Sequence, residues 1–270
     1  MTTLIITSFL AGLVAIAATV AVERLGGKLG GIIATLPTTI VPATWGFFAV
    51  SEGVPVKALA AVPMGMLVNA GFLWCWRAIP PRLPSWSMQK RLAAMVGISL
   101  CIWLGLALTS MCIGTQTHIH PMILGFTALA LHIILGIYTT WNFTPSPKGT
   151  RNVTFLALVS RGVLAAVAVG ISVLIASSGF EVAAGIASVF PAIFLTTMVS
   201  LWWSQGQAVP LGAVGPITLG SIVVSTYALL AIWTFDAFGV GAGSVIAWVG
   251  SVLLCSVPSA IWLNQKQAAS

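Results

Sequence analysis

The chain is a succession of apolar runs, each close to the ~20 residues a helix needs to cross the hydrocarbon core of a bilayer. Nine can be marked, at 3–22, 30–50, 57–77, 92–112, 120–141, 154–177, 182–203, 209–234 and 241–263. Only 6% of the 270 residues are charged and 59% are hydrophobic, with a mean hydropathy of +1.07. A soluble domain carries about 25% charged residues. So few charges cannot cover a water-facing surface, and the expected fold is an all-α, polytopic helical membrane bundle of nine spans. The first run resembles a signal peptide in length, but it lacks a positive leading region and "ERLGGK" follows it directly, so it is read as the first span.

The net charge of +7 does not indicate nucleic acid, because the Lys and Arg residues are scattered at segment ends, where they read as topology signals. With the N-terminus outside, Arg24, Lys28, Arg77, Arg82, Lys90, Arg91, Lys148, Arg151 and Lys266 fall on the cytoplasmic side and Lys57 alone falls outside. This bias predicts N-outside, C-inside and an odd number of helices. Tryptophans agree, since indoles favour the headgroup level. Trp74, Trp76, Trp86, Trp141, Trp202, Trp203 and Trp262 lie near inner ends, Trp45 and Trp233 near outer ends, and Trp103 and Trp248 lie deeper as packing residues. The loops 77–91 and 141–152 are then cytoplasmic, which removes the N-x-[ST] patterns at Asn142 and Asn152 from glycosylation. Cys75, Cys101, Cys112 and Cys255 show no CxxC spacing and read as small reduced hydrophobes.

An internal repeat is expected. At a shift of 154 residues Gly31 meets Gly185, Ile32 meets Ile186 and Pro37 meets Pro191; at 155, Val54-Pro55 meets Val209-Pro210 and Gly65 meets Gly220. Segments one to four (1–115) would repeat as six to nine (151–270), with 116–150 as a linker helix and loop. Since an odd number of crossings separates the halves, they would be inserted oppositely, a common plan among secondary transporters.

The repeat draws attention to "GGIIATLPTTIVPA" at 30–43, where prolines and threonines interrupt an apolar span. A proline within a helix frees a carbonyl and kinks the axis, and in lipid an unsatisfied carbonyl costs several kcal/mol. Pro37 and Pro191 approach the midplane from opposite sides, and paired interrupted helices point to a transport site. Their main-chain dipoles are expected to face a wet pocket. Thr35, Thr38 and Thr39 continue with Pro42 and Gly46 along one helix face, as do Ser188, Ala192, Thr196, Ser200 and Ser204 on segment seven, and Thr218, Ser221 and Ser225 on segment eight. Asn69 sits about halfway along segment three. These polar side chains either line a path for a small solute or bond within their own helices while helices pack closely. Gly31 and Gly185 would serve hinge movement or close packing.

Two ionisable residues lie within spans. His132 would take part in a proton relay or bond between helices. Arg161 would either snorkel to the headgroups or face the bundle and hold an anion. His118 and His120, in "THIHP", are too few for a selective metal site, and no metal or cofactor is expected. There is no GxSxG, HExxH, Walker-type GxxxxGK[ST] or acidic pair, so an enzyme is not expected. The leading function is a secondary transporter or facilitator of a small polar or anionic solute by alternating access, with a coupling proton or sodium ion. The alternatives are a channel using the same polar stripes and a non-transporting scaffold or lipid-handling protein. Small size, short loops and the lack of targeting signals point to a bacterial inner membrane.

Overall fold

The computed structural model describes residues 2–25, 36–141, 155–206 and 208–268; Gly31 and Thr35 lie outside them. The described residues form helices joined by short turns, with no strand among them. In chain order these are α1 (Thr2–Leu25), α2 (Ile40–Val50), α3 (Val56–Ala78), α4 (Met88–Gln116), α5 (Pro121–Thr140), α6 (Phe155–Ser177), α7 (Glu181–Ala187), α8 (Ala192–Gln205), α9 (Ala208–Gly220), α10 (Ile222–Ser251) and α11 (Val257–Ala268). Among the described residues, six stretches are long and apolar enough to cross a membrane: 56–78, 88–116, 121–140, 158–177, 181–203 and 210–266. The chain is therefore a multi-pass helical membrane protein.

Helix α3 is the axis of the bundle. Of its most apolar window 83% is buried, against 28% for α4 and α5, which carry their Leu and Ile side chains on the outside. Leu104, Leu108, Ile123 and Ile134 are each more than half exposed, as residues facing acyl chains should be. The α3 core packs Leu59, Met66, Phe72, Leu73 and Trp76 against α5, α7 and α10. On the other side α1 and α6 cross backbone to backbone. A Cβ added at Gly12 would lie 3.0 Å from the Gly162 carbonyl oxygen, and one at Gly162 would lie 3.2 Å from that of Gly12. Small residues permit this approach, from which dispersion contacts supply the adhesion that the hydrophobic effect cannot supply in lipid.

The stretch 210–266 has 57 residues, far more than one crossing requires. Gly239, at φ 73° and ψ 168°, lies in a region that side-chain-bearing residues avoid. The chain reverses there. Thr226 before the turn meets Cys255 after it, with Oγ1 and Sγ 3.0 Å apart, so the two arms run antiparallel.

Two sequence expectations need correction. Segment seven is not a kinked helix but two helices, α7 and α8, separated by Ser188–Pro191. Ser188 therefore does not share a helix face with Thr196. Likewise α2 starts only at Ile40, so Thr38 and Thr39 precede the helix whose face they were expected to continue. The physical reason is the same at both sites. Proline has no N–H to give, and its ring pushes the preceding residue out of the α region.

Candidate functional site

Around the interruption at Pro191 lie Ser188, Asn69 and the Arg161–Thr196 pair. The first arm, α7, ends with Ser188 folded back on itself, its Oγ donating to the Gly185 carbonyl at 2.7 Å. The Val189 carbonyl is left without a helical partner. It is not bare to water: the Asn69 side-chain amide of α3 donates to it at 2.7 Å. The Asn69 oxygen in turn accepts from the Trp103 indole of α4 at 2.8 Å. Indole only donates and a backbone carbonyl only accepts, so these two partners fix which way round the amide sits. Phe190 packs edge-on against Trp103, with centroids 5.1 Å apart. Asn69 is 1% exposed, so the three groups form a closed polar unit in an apolar core.

Glycines let α7 come this close to α3. A Cβ at Gly65 would lie 3.0 Å from Ile186 Cα. One at Gly185 would run into the Ala58 carbonyl and lie 2.8 Å from Ala61 Cβ. Gly185 thus sits at a close approach, and Gly31 lies outside the described residues.

The second arm starts just beyond. Pro191, buried, is the N-cap of α8, and no side chain caps that helix start; nor does one cap α2 at Thr39. The first N–H groups of a helix have no partner within it and carry its positive dipole end. Within the second turn of α8, Thr196 Oγ1 lies 2.8 Å from the Ala192 carbonyl and accepts from Arg161 Nε of α6 at 3.2 Å. Arg161 is 9% exposed. Of the two orientations open from sequence, the side chain takes the one that faces the bundle. Thr38 and Thr39 are half-buried and Pro37 is buried.

His132 is elsewhere. It is fully buried where α5 meets the junction of α9 and α10, and its Nε2 is 3.4 Å from Ser221 Oγ. Ser221 and Thr218 also bond to carbonyls of their own helix, at 3.0 Å and 2.8 Å. The structure does not bring His132 to the Arg161–Thr196 pair. His120 caps α5, its Nδ1 accepting from the Met122 N–H at 3.3 Å.

Sequence reasoning missed Trp103, read as a packing residue. The signal was present: a buried indole needs an acceptor, and Asn69 is the only asparagine within an apolar segment. It also missed the link between Thr44 Oγ1 and Tyr227 Oη, 3.2 Å apart, beside Trp45, whose indole donates to Ser244 at 2.7 Å. No protein-family model, curated protein or solved structure matches the chain.

Proposed function

We propose that the protein is a secondary transporter or facilitator of a small polar, anionic solute, working by alternating access. The observation that carries this reading is the buried guanidinium of Arg161, hydrogen-bonded to Thr196 within the second turn of a helix whose start has no side-chain cap. A cation inside the bilayer is expensive and is kept where it works. Beside a half-helix N-terminus, it offers an anion both a charge and oriented N–H donors.

The length of the half-helices supports the reading. At 1.5 Å per residue, α2 spans about 16 Å and α8 about 21 Å, each short of the ~30 Å core. In a nine-span, N-outside chain with 4+1+4 inverted halves, both would begin near mid-bilayer and leave in opposite directions. The reciprocal contact of Gly12 and Gly162 would then lie on the pseudo-two-fold axis. Asn69 closes the Pro191 interruption from the α3 side, and the solute enters from the α6 side, past Thr38, Thr39 and Ser188. His132 is the group for a coupling proton, acting through the α9–α10 junction. The membrane is the bacterial inner membrane.

The test is counterflow in proteoliposomes and melting of the purified chain with a panel of small anions and neutral analogues. One anion class should raise the melting temperature and exchange saturably. Thr38→Val should remove that stabilisation while changing the solute-free melting temperature little, and Arg161→Gln should abolish the preference for anions. Unitary currents without saturable exchange would make the protein a channel. Neither exchange nor stabilisation by any solute would leave a scaffold.

A further inference from the structure

At the end of the bundle where α3, α5 and α11 finish, four consecutive residues at the end of α5, Tyr138 to Trp141, gather two cations. Arg77, in the last turn of α3, donates Nη1 to the Thr139 carbonyl at 3.1 Å and lies 5.8 Å from the Trp74 ring centroid. Trp74 packs against Tyr138, centroids 6.2 Å apart. On the other flank, Trp262 of α11 donates Nε1 to Thr140 Oγ1 at 3.0 Å and packs on Trp141 at 5.7 Å. Lys266 Nζ lies over both rings, 4.2 Å from Trp141 and 4.9 Å from Trp262. Between the flanks runs a groove of about 300 Å³ lined by Ile134, Ile137, Tyr138 and Trp141. Ile134, Tyr138 and Trp141 are each more than half exposed.

We propose that this groove binds an anionic phospholipid. One acyl chain lies along Ile134 and Ile137, the glycerol region rests between Tyr138 and Trp141, and the phosphate sits between Arg77 and Lys266. The groove complements such a lipid along the lipid's own axis. The lining is wholly apolar below, aromatic at the level where indoles and phenols settle, and cationic above. The groove is too small for a whole lipid, so it takes part of one chain and leaves the rest in the bilayer. Arg77 keeps donors beyond the one given to Thr139, since a guanidinium carries five. The aromatic pair at Phe126 and Trp233, 6.0 Å apart, has an apolar and aromatic character but, among the described residues, no cation over its rings, and serves as the comparison.

The full chain, purified in mild detergent, is titrated with phosphatidylglycerol and phosphatidylcholine of the same acyl chains, and bound lipid is counted by native mass spectrometry. Phosphatidylglycerol should bind roughly tenfold more tightly. Lys266→Gln and Arg77→Gln should each weaken it about fivefold, the worth of one basic residue near an anionic headgroup. Trp141→Leu should weaken both lipids, and Trp233→Leu neither. Lys266→Gln alone carries the test should Arg77→Gln fail to fold. Equal binding of the two lipids, or an unchanged preference in Lys266→Gln, would overturn the proposal. So would displacement of the lipid by glycerol 3-phosphate, which would make the site one for free phosphate.

Discussion

Pro63 and Pro191 both lie within membrane-spanning stretches, yet α3 runs through Pro63, whereas α7 ends at Ala187 and α8 starts only after Pro191. Pro63 is surrounded by apolar neighbours and a helix of 23 residues that holds its course. Around Pro191 the chain leaves the α-helical pattern, with Val189 and Phe190 donating only to the carbonyls three residues back, and the Val189 carbonyl is satisfied from outside: Asn69 takes it, and Trp103 holds Asn69. The contrast teaches that a proline in lipid does not by itself open a helix. An opening persists where another element supplies the missing polar partner.

The strongest way to break this contrast is Asn69→Leu. It strands a buried indole donor and a buried carbonyl together, each costing about 1–3 kcal/mol, and should lower thermal stability in detergent by several degrees or prevent accumulation of folded protein. An unchanged melting temperature would mean that the Pro191 opening does not need α3. Next in size is Gly185→Ala, which pushes a methyl group into the Ala58 carbonyl and should cost about 1–3 kcal/mol. Gly97→Ala, where a Cβ meets nothing within 4 Å, should be neutral or slightly stabilising on the same assay. Equal effects at the two glycines would remove close packing as the reason for Gly185. Only a small stability change is expected from the prolines themselves. Pro63→Ala restores a donor inside a helix already formed and should leave solute-dependent stabilisation intact. Pro191→Ala should change solute-free melting by less than about 1 kcal/mol, because the partners of the opening remain. It should nevertheless reduce solute-dependent stabilisation, the reading that separates the two sites.

Much of the helical content could be read from the chain. The apolar runs from 57 to 177 correspond to α3, α4, α5 and α6 with modest shifts at the ends, because length and hydropathy settle a helix in lipid with little help from neighbours. The run containing Pro191 was legible as interrupted but not as split, since whether a proline kinks or stops a helix depends on who satisfies the freed groups. Asn69, Arg161 and Thr196 could each be singled out as polar residues in an apolar background. That Arg161 meets Thr196, and that Asn69 meets Val189 across 120 residues, could not.

By itself the sequence determined that this is a helical protein of the membrane, because a chain with 6% charge can be solvated by nothing else and a backbone in lipid must bond to itself. Only the tertiary structure decided which polar groups work as pairs. A hydrogen bond depends on a fraction of an ångström between atoms on different helices, and packing at positions such as Gly65 and Gly185, not hydropathy, sets that distance.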